Sequence, residues 1–376
     1  MRGFAPHPAG DVRVPGLPFF LLTSTKEHMN ILYLINYAGQ GGSENYVFTL
    51  AKAAAKKGKV FLGYNIKGSL VEKLEPYATC FRLEMSSPLD IKAAVHLKKY
   101  LALHKIDAVH TQFPRENYIA LWAVILGANV KVIYTSHINL YNNFLWKGAN
   151  FFFTRKNTAI IAVCTSVKEL LVKNNYPPKK IKVIYNGVEP LTSIKIPPLK
   201  CFTFITLARL SKEKGLNFLL ESVKILKEKG KDFKLIIGGE GEERPELERF
   251  ISANDLKNTV SLPGHINPKE YLPKAQVYIN SSESEALSFG ILEAMSYGLP
   301  IIATKVGGNE EIVNLSQNGK LVKYNNPEEL AHAMEYIMDN KEMYDRLSQN
   351  SLKAIKETFN ICKTIKETYE LYRENN

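Results

Sequence analysis

The chain has 376 residues, enough for two or three domains of ordinary size. It is 45% hydrophobic and 23% charged, which excludes a collagen-like, fibrous or disordered chain. The longest uncharged apolar run, residues 117–130, is too short to span a bilayer. The four cysteines lie far apart without metal-ligand spacing, and we interpret them as reduced core thiols of a cytoplasmic protein.

The net charge of +12 is concentrated in the first half of the chain. Residues 30–190 contain 21 Lys/Arg and 9 Asp/Glu, whereas residues 191–376 contain 25 and 26. This asymmetry predicts that the first half meets an anionic surface or substrate. No helix-turn-helix, zinc-finger or aromatic RNA-binding signature accompanies the charge, so we expect no nucleic-acid partner. An anionic membrane surface or a phosphate-bearing lipid fits the charge equally well.

The predicted elements alternate between strand and helix after a Pro-rich and Gly-rich segment, residues 1–28, that we interpret as a leader or a disordered tail. The first predicted domain covers residues 29–190. Its strands are expected at 31–36, 60–64, 108–111, 131–136, 160–164 and 182–184, and its helices at 43–57, 91–104 and 167–174. This alternation predicts a parallel sheet with helices on both faces.

A second alternating region follows a Pro-rich linker at residues 191–200. The second predicted domain covers residues 201–358, and a C-terminal helix at 359–376 could pack back on the first domain. Its strands are expected at 202–208, 234–238, 260–262, 277–279 and 301–303, and its first helices at 216–228, 245–253 and 289–297. The predicted fold class is therefore α/β, with two doubly wound Rossmann-like domains facing a central cleft.

Two loops after first strands carry groups suited to phosphate. Gly41 and Gly42 follow the first strand of the first domain and open a helix, where backbone can approach an anion closely. Arg209 and Lys214 follow the first strand of the second domain, where two cations could clamp a diphosphate. A tight turn and a solvated charged loop are the alternative explanations.

The most informative stretch is residues 281–295. Glu285 lies in a predicted loop, Ser288 can cap a helix, and Glu293 follows one turn inside that helix. The first amides of such a helix are free donors for a phosphate, and the two carboxylates could take hydroxyls on either side of it. A nucleotide sugar has that layout, although a capped helix with two solvated glutamates also explains the pattern.

These motifs together resemble the retaining glycosyltransferases of family four, which have the two-domain GT-B fold. Glu285 and Glu293 match the family's E-x7-E motif, and Arg209 and Lys214 match its R-x4-K pair. The sequence YTSH ending at His137 matches the strand that leads to an active-site histidine. The resemblance covers roughly residues 29–376, with several motifs in order.

The resemblance implies a role for each matching residue. The catalytic set would be His137, Glu285, Arg209 and Lys214. The donor-binding set would be Gly41, Gly42, Arg209, Lys214, Glu285, Leu287, Ser288, Phe289 and Glu293. No Asp-x-Asp occurs in the chain, and Arg209, Lys214 and a helix end can supply positive charge, so we expect no metal and no other cofactor.

The expected function is the transfer of a sugar from a nucleotide sugar, most simply a UDP-sugar, to a lipid-linked or glycan acceptor of the cell surface. A nucleotide-sugar epimerase of the related fold and a non-catalytic nucleotide-sugar-binding partner subunit are the alternatives. We expect a cytoplasmic protein with peripheral contact to the inner face of the membrane through its basic first domain. For the aromatic and basic segment at 142–156, a core-packed helix is favoured over membrane docking.

Overall fold

The computed structural model describes residues 28–138, 143–191 and 201–374. Residues 1–27 of the expected leader and residues 192–200 of the expected linker lie outside the described residues. So do residues 139–142 and 375–376.

The first domain is built on a seven-stranded sheet whose paired strands all run parallel, in the order β3-β2-β1-β4-β5-β6-β7. Its strands are short and largely apolar, and the central ones are buried on both faces, as a sheet covered by helices requires. They are β1 (Ile31–Tyr37), β2 (Val60–Ile66), β3 (Thr79–Arg82), β4 (Ala108–Thr111), β5 (Lys131–Ser136), β6 (Ala159–Ala162) and β7 (Ile181–Val183).

Within the described part of this domain, six α-helices connect the strands. Asp90 and Asn143 cap two of them through side-chain oxygens, and Pro114 begins a third at a position where proline fits a helix. The helices are α1 (Gly42–Ala54), α2 (Ser69–Leu74), α3 (Ile91–Leu103), α4 (Pro114–Ile125), α5 (Phe144–Phe153) and α6 (Thr165–Lys173).

The second domain repeats the architecture with a six-stranded parallel sheet in the order β10-β9-β8-β11-β12-β13. Its strands are β8 (Phe202–Leu207), β9 (Phe233–Gly238), β10 (Val260–Gly264), β11 (Val277–Asn280), β12 (Ile301–Thr304) and β13 (Gly319–Val322). Its helices are α7 (Leu216–Glu228), α8 (Arg244–Ala253), α9 (Pro268–Tyr271), α10 (Phe289–Ser296), α11 (Gly307–Ser316), α12 (Pro327–Asp339) and α13 (Lys341–Glu357). The predicted α/β class with two doubly wound domains is confirmed.

A last helix, α14 (Ile361–Arg373), returns to the first domain. Tyr372 is fully buried there, and its hydroxyl lies 2.6 Å from His110 Nδ1 and 3.3 Å from the hydroxyl of Tyr33. The crossing is fixed by backbone hydrogen bonds between Val188 and residues 359 and 361. Residues 361–373 therefore complete the core of a domain that begins more than 300 residues earlier in the sequence.

The two domains also share apolar packing. One buried cluster combines Tyr134 and Ile160 of the first domain with Tyr278, Leu287 and Ile291 of the second. Burial of such side chains contributes about 1.5–3 kcal/mol each. The described domains are thus in direct contact behind the cleft.

Two expectations need correction, and the strand β3 was not predicted. Only Cys164 is a buried thiol, while Cys80, Cys201 and Cys362 are half-buried, so most of the cysteines are not core residues. The edge strand β3 has no apolar alternation to predict it, because it is partly exposed along its length. Helix α5 forms where a core-packed helix was favoured, but Asn150 is its only fully buried residue, and several large apolar side chains face solvent.

Candidate active site

The candidate site lies where the carboxyl ends of the central strands meet. In each sheet the order in which successive strands are added reverses between two neighbouring parallel strands, β1 and β4 in the first sheet and β8 and β11 in the second. Loops that leave neighbouring strands at such a point diverge and open a crevice for a ligand. Every residue expected at the site, apart from Glu293 inside α10, lies in or next to a loop that follows β1, β5, β8 or β11.

A charged pair occupies the centre of the second-domain side. Lys214 Nζ lies 2.7 Å from Glu285 Oε1, and the two side chains are only 21% and 15% exposed. The hydroxyl of Ser282 also donates to Glu285 Oε1 (2.8 Å), as does Asn280 Nδ2 (3.4 Å). Limited water access strengthens such charge-assisted bonds, so this carboxylate is held in one position.

The backbone before α7 determines where Lys214 lies. Lys214 ends a short 3-10 turn, Lys212–Lys214, and is followed by Gly215 with φ of 61°. This left-handed conformation is readily adopted by glycine. A Cβ at Gly215 would also lie 2.2 Å from the carbonyl oxygen of Ser281, in the loop that carries Glu285. The glycine therefore brings the two loops close enough for the ion pair.

The amino end of α10 lies next to this pair. Ser288 caps the helix by accepting from the backbone N–H of Ile291, and Asn280 Nδ2 donates to Ser288 Oγ (3.2 Å) as well as to Glu285. The first turn of a helix leaves N–H groups without intrahelical partners, at its positive end. Leu287 contributes a buried side chain to the shared apolar cluster, so its side chain is occupied by packing.

The loop of the first domain that contains Gly41 and Gly42 reaches the amino end of α10. A Cβ at Gly42 would lie 2.3 Å from Phe289 Cδ2, at the first residue of α10. A side chain at Gly42 would therefore clash with the Phe289 ring across the cleft. Gly41 lies next to it, where a Cβ would meet Glu44 Oε2 at 2.7 Å. The structure thus brings Gly41, Gly42, Ser288 and Phe289 together across the cleft.

Glu293 faces a separate part of the cleft. It lines a cavity of about 760 Å³ between the domains, together with Asn45 and Thr49 of α1, Lys269 of α9 and Phe289. Burial raises the pKa of the Glu293 carboxyl, and Lys269 acts in the opposite direction. The lining of this cavity does not include the Lys214–Glu285 pair.

His137 lies at the end of β5 and is neutral. Its Nε2 lies 3.0 Å from Gln112 Oε1, and its ring packs edge-on against Tyr46 at 4.9 Å between centroids. Burial lowers the pKa of His137 to about 3, so the imidazole can orient a ligand through hydrogen bonds but carries no charge near pH 7. Gln112 and Tyr46 were not predicted, although a polar residue directly after β4 is a signal that could have found Gln112.

Arg209 is not part of the buried network. Its side chain is 70% exposed and forms an ion pair with Glu213 (3.3 Å), whose carboxylate also accepts from Ser211 Oγ at 2.6 Å. The bond from Ser211 is the main reason that the pKa of Glu213 is lowered. Of the two predicted cations, the structure places Lys214 against Glu285 and leaves Arg209 at the solvent side of the loop.

Glu311 joins the two domains. It accepts from the backbone N–H of Thr165 (2.7 Å), from Thr165 Oγ1 (2.6 Å) and from the hydroxyl of Tyr185 (2.5 Å). Nearby, the thiol of Cys164 donates to the carbonyl of Ala286, next to Glu285. Glu311 is therefore bonded to two segments of the first domain, and these contacts hold the domains together beside the site.

Glu116 is a buried carboxyl that the sequence did not reveal. It lies in the first turn of α4 and is fully buried. Burial raises its pKa to about 8, so the group is protonated near pH 7. The sequence offered no signal for it, because carboxylates are seldom buried without a partner.

Two further observations concern the whole of the described chain. None of the helices in the described ranges is both long and apolar enough to cross a bilayer. Across residues 28–138, 143–191 and 201–374, no three His, Cys, Asp or Glu side chains are grouped so that they could hold a metal ion.

Comparison with known proteins assigns the family. The model described as "Glycosyltransferase Family 4" matches residues 40–190, and the model described as "Glycosyl transferases group 1" matches residues 193–354. An uncharacterized glycosyltransferase of Haemophilus influenzae is 27% identical over 89% of this chain and 97% of its own length. The Escherichia coli enzyme named UDP-Gal:alpha-D-GlcNAc-diphosphoundecaprenol alpha-1,3-galactosyltransferase is 28% identical over 75% of this chain and 79% of its own.

Solved structures agree on the fold. A glycosyltransferase from Rickettsia africae superposes with a TM-score of 0.81 at 20% identity, over 92% of this chain and 98% of its own. Anabaena HepE, solved in complex with UDP and glucose, superposes with a TM-score of 0.82 at 19% identity, over 93% and 100%. The chain therefore belongs to glycosyltransferase family 4 and is a glycosyltransferase with the GT-B fold.

Proposed function

We propose that the protein is a retaining glycosyltransferase that moves a sugar from a UDP-sugar to a lipid-linked or glycan acceptor in the synthesis of cell-surface polysaccharide. The name of the E. coli relative supports a UDP-sugar donor and a lipid diphosphate acceptor. Its coverage of three quarters of this chain includes parts of both domains.

The observation that carries the proposal is the network that links Lys214, Glu285, Asn280 and Ser288. It sets one cation, one carboxylate and the amino end of α10 side by side. A departing diphosphate needs positive charge, and a donor sugar needs an acceptor for its hydroxyls. Both groups are present here with low exposure to water, where their electrostatic effect is greater.

The proposed position of the donor is built outward from this network. The diphosphate would lie at the N–H groups of Ser288 and Phe289, with Lys214 and Arg209 beside it and Gly41–Gly42 above. The ribose would extend one turn along α10 to Glu293, whose cavity of about 760 Å³ is large enough for a nucleoside. Arg209 would exchange its ion pair with Glu213 for a phosphate oxygen.

The proposed chemistry is attack on the same face from which the diphosphate leaves. The bond between the sugar carbon and the phosphate oxygen breaks, and its electron pair leaves with the diphosphate. The acceptor hydroxyl forms the new bond and gives its proton to an oxygen of the leaving phosphate. Neutral His137 orients the sugar, and Lys214, Arg209 and the helix end stabilise the charge, so no metal is needed in this proposal.

The acceptor would enter from the side of the first domain. The net positive charge of that domain would attract a diphosphate or an anionic membrane surface. A cytoplasmic enzyme held peripherally at the inner face of the membrane is part of the proposal. A lipid-linked acceptor would be presented there, while the near-neutral second domain binds the water-soluble donor.

The test is a panel of UDP-, GDP- and ADP-sugars with a short-chain lipid diphosphate acceptor, followed by product analysis. The proposal expects UDP release coupled to formation of a glycoside whose anomeric configuration matches that of the donor. An epimerised nucleotide sugar without transfer would identify the epimerase, and binding without turnover would identify a non-catalytic subunit. An inverted linkage would refute the retaining mechanism alone.

A further inference from the structure

Helix α5 is apolar on two opposite faces, and only one of them is covered. On the inner face, Trp146 and Phe153 pack against the ring of Tyr118, with centroids 5.6 Å away in both cases. Asn150, also on this face, accepts from the hydroxyl of Tyr118 (2.7 Å) and donates to the carbonyl of Asn174 (2.8 Å). These contacts fix the rotation of the helix on the first domain.

The outer face presents large apolar side chains to solvent. We call Phe144, Leu145, Phe151 and Phe152 the α5 stripe. The spacing of i, i+1, i+7 and i+8 places them along one side of a helix. Their exposed fractions are 87%, 78%, 41% and 71%. Isolated exposed apolar residues are ordinary, but a contiguous set on one helix face marks an interaction surface.

Two cations lie at the α5 stripe, and the sequence that follows it is basic. Residues 143–188 contain eight Lys/Arg and a single acidic residue, Glu169. Lys147 lies on the helix itself, and the guanidinium of Arg155 stacks on the Phe151 ring at 3.6 Å from its centroid. This stacking keeps a cation at the edge of the apolar surface.

We propose that the α5 stripe inserts into the interfacial region of an anionic lipid bilayer, with Lys147 and Arg155 at the lipid headgroups. Exposed phenylalanines beside Lys and Arg match the composition of helices that lie in the interface plane. A second copy of the chain is a poorer occupant, because two such basic surfaces would repel each other.

The position of α5 connects this surface to the site. The helix begins seven residues after His137, on the chain that leaves the carboxyl end of β5. Docking would therefore bring the His137 side of the cleft toward the bilayer. The functional value of this orientation rests on the proposed lipid-linked acceptor, whereas the docking of α5 to a bilayer does not.

The experiment is co-sedimentation of the full chain with vesicles of phosphatidylcholine alone or with about 30% phosphatidylglycerol, over a salt series. The test variant is Phe144→Ser/Leu145→Ser/Phe152→Ser, which alters only exposed side chains. The matched control is Leu103→Ser, on α3, where the leucine is 76% exposed. We expect binding to the anionic vesicles that weakens with salt, at least about tenfold weaker binding by the test variant, and no change in the control.

Equal pelleting with neutral and anionic vesicles would overturn the proposal, as would unchanged binding by the test variant. Light scattering without lipid gives a further check. If the wild-type protein is a dimer and the test variant is a monomer, the stripe is a contact between two copies of the chain, and the proposal is overturned. Unfolding temperature and UDP release with a water-soluble acceptor should stay at wild-type values in the test variant. If the wild-type protein binds anionic vesicles but transfers no sugar in any assay, the proposed function is refuted. The proposed docking surface would still stand.

Discussion

Replacing Lys214 with alanine should slow sugar transfer far more than it destabilises the fold. The ammonium lies 2.7 Å from Glu285 in a site where the two side chains are 21% and 15% exposed. Loss of one such electrostatic donor raises a reaction barrier by about 2.7–4 kcal/mol, or about 10²–10³ in rate. Glu285 retains its bonds from Ser282 and Asn280, so we expect a loss of about 1–3 kcal/mol in the free energy of unfolding.

The assay measures UDP release and product formation at saturating and limiting donor, alongside urea unfolding of each variant. Lys212→Ala is the matched control, because Lys212 is exposed in the same 3-10 turn. The control should keep a rate within about twofold of wild type, as is usual for surface substitutions. A Lys214→Ala enzyme that is folded and transfers sugar at the wild-type rate would refute the assigned role.

Four further outcomes follow from the site and its surroundings. Activity should persist after treatment with EDTA, and a strict need for Mg²⁺ or Mn²⁺ would contradict a charge clamp made by the chain. Arg209→Ala should lower kcat/KM for the donor by about 10²–10³, whereas the exposed Arg249→Ala should not. Because burial raises the pKa of Glu116 from 4.5 to about 8, the folded chain holds a proton that the unfolded chain releases between those values. The free energy of unfolding should therefore fall by up to about 1.4 kcal/mol per pH unit as pH rises through this window, and Glu116→Gln should remove that slope in urea titrations. Glu311→Ala should destabilise the chain by about 1–3 kcal/mol and weaken donor binding, and unchanged calorimetric and binding curves would show that the domains do not depend on this contact.

The sequence was sufficient to predict those helices and strands whose residue pattern has a single physical explanation. The strand at Ala159–Ala162 is a short, entirely apolar run, and such a run is typical of a parallel strand that is buried on both faces. Ser288 before an apolar helix predicts a cap, which the structure contains. The order of strands and helices then implies two doubly wound sheets.

The remaining features depend on contacts between distant segments. Arg209 and Lys214 are five residues apart in one loop, and only the turn before Gly215 decides which of them reaches Glu285. Helix α5 is apolar on both faces, so its sequence does not show which face is covered. The burial of Glu116 arises from the packing of α4 on the sheet, and a charged residue in a helical first turn normally predicts exposure.

The return of α14 has a consequence for how the protein is made. The first domain lacks Tyr372, and with it a partner of His110 and Tyr33, until residues 361–373 have left the ribosome. At about 5–20 residues per second, roughly ten to forty seconds pass between the synthesis of residue 190 and that of α14. During this interval an apolar face of the nascent first domain is uncovered, so it is a natural binding surface for a chaperone. Expression of residues 28–190 alone should yield a poorly soluble fragment, which α14 supplied as a separate peptide would help to fold.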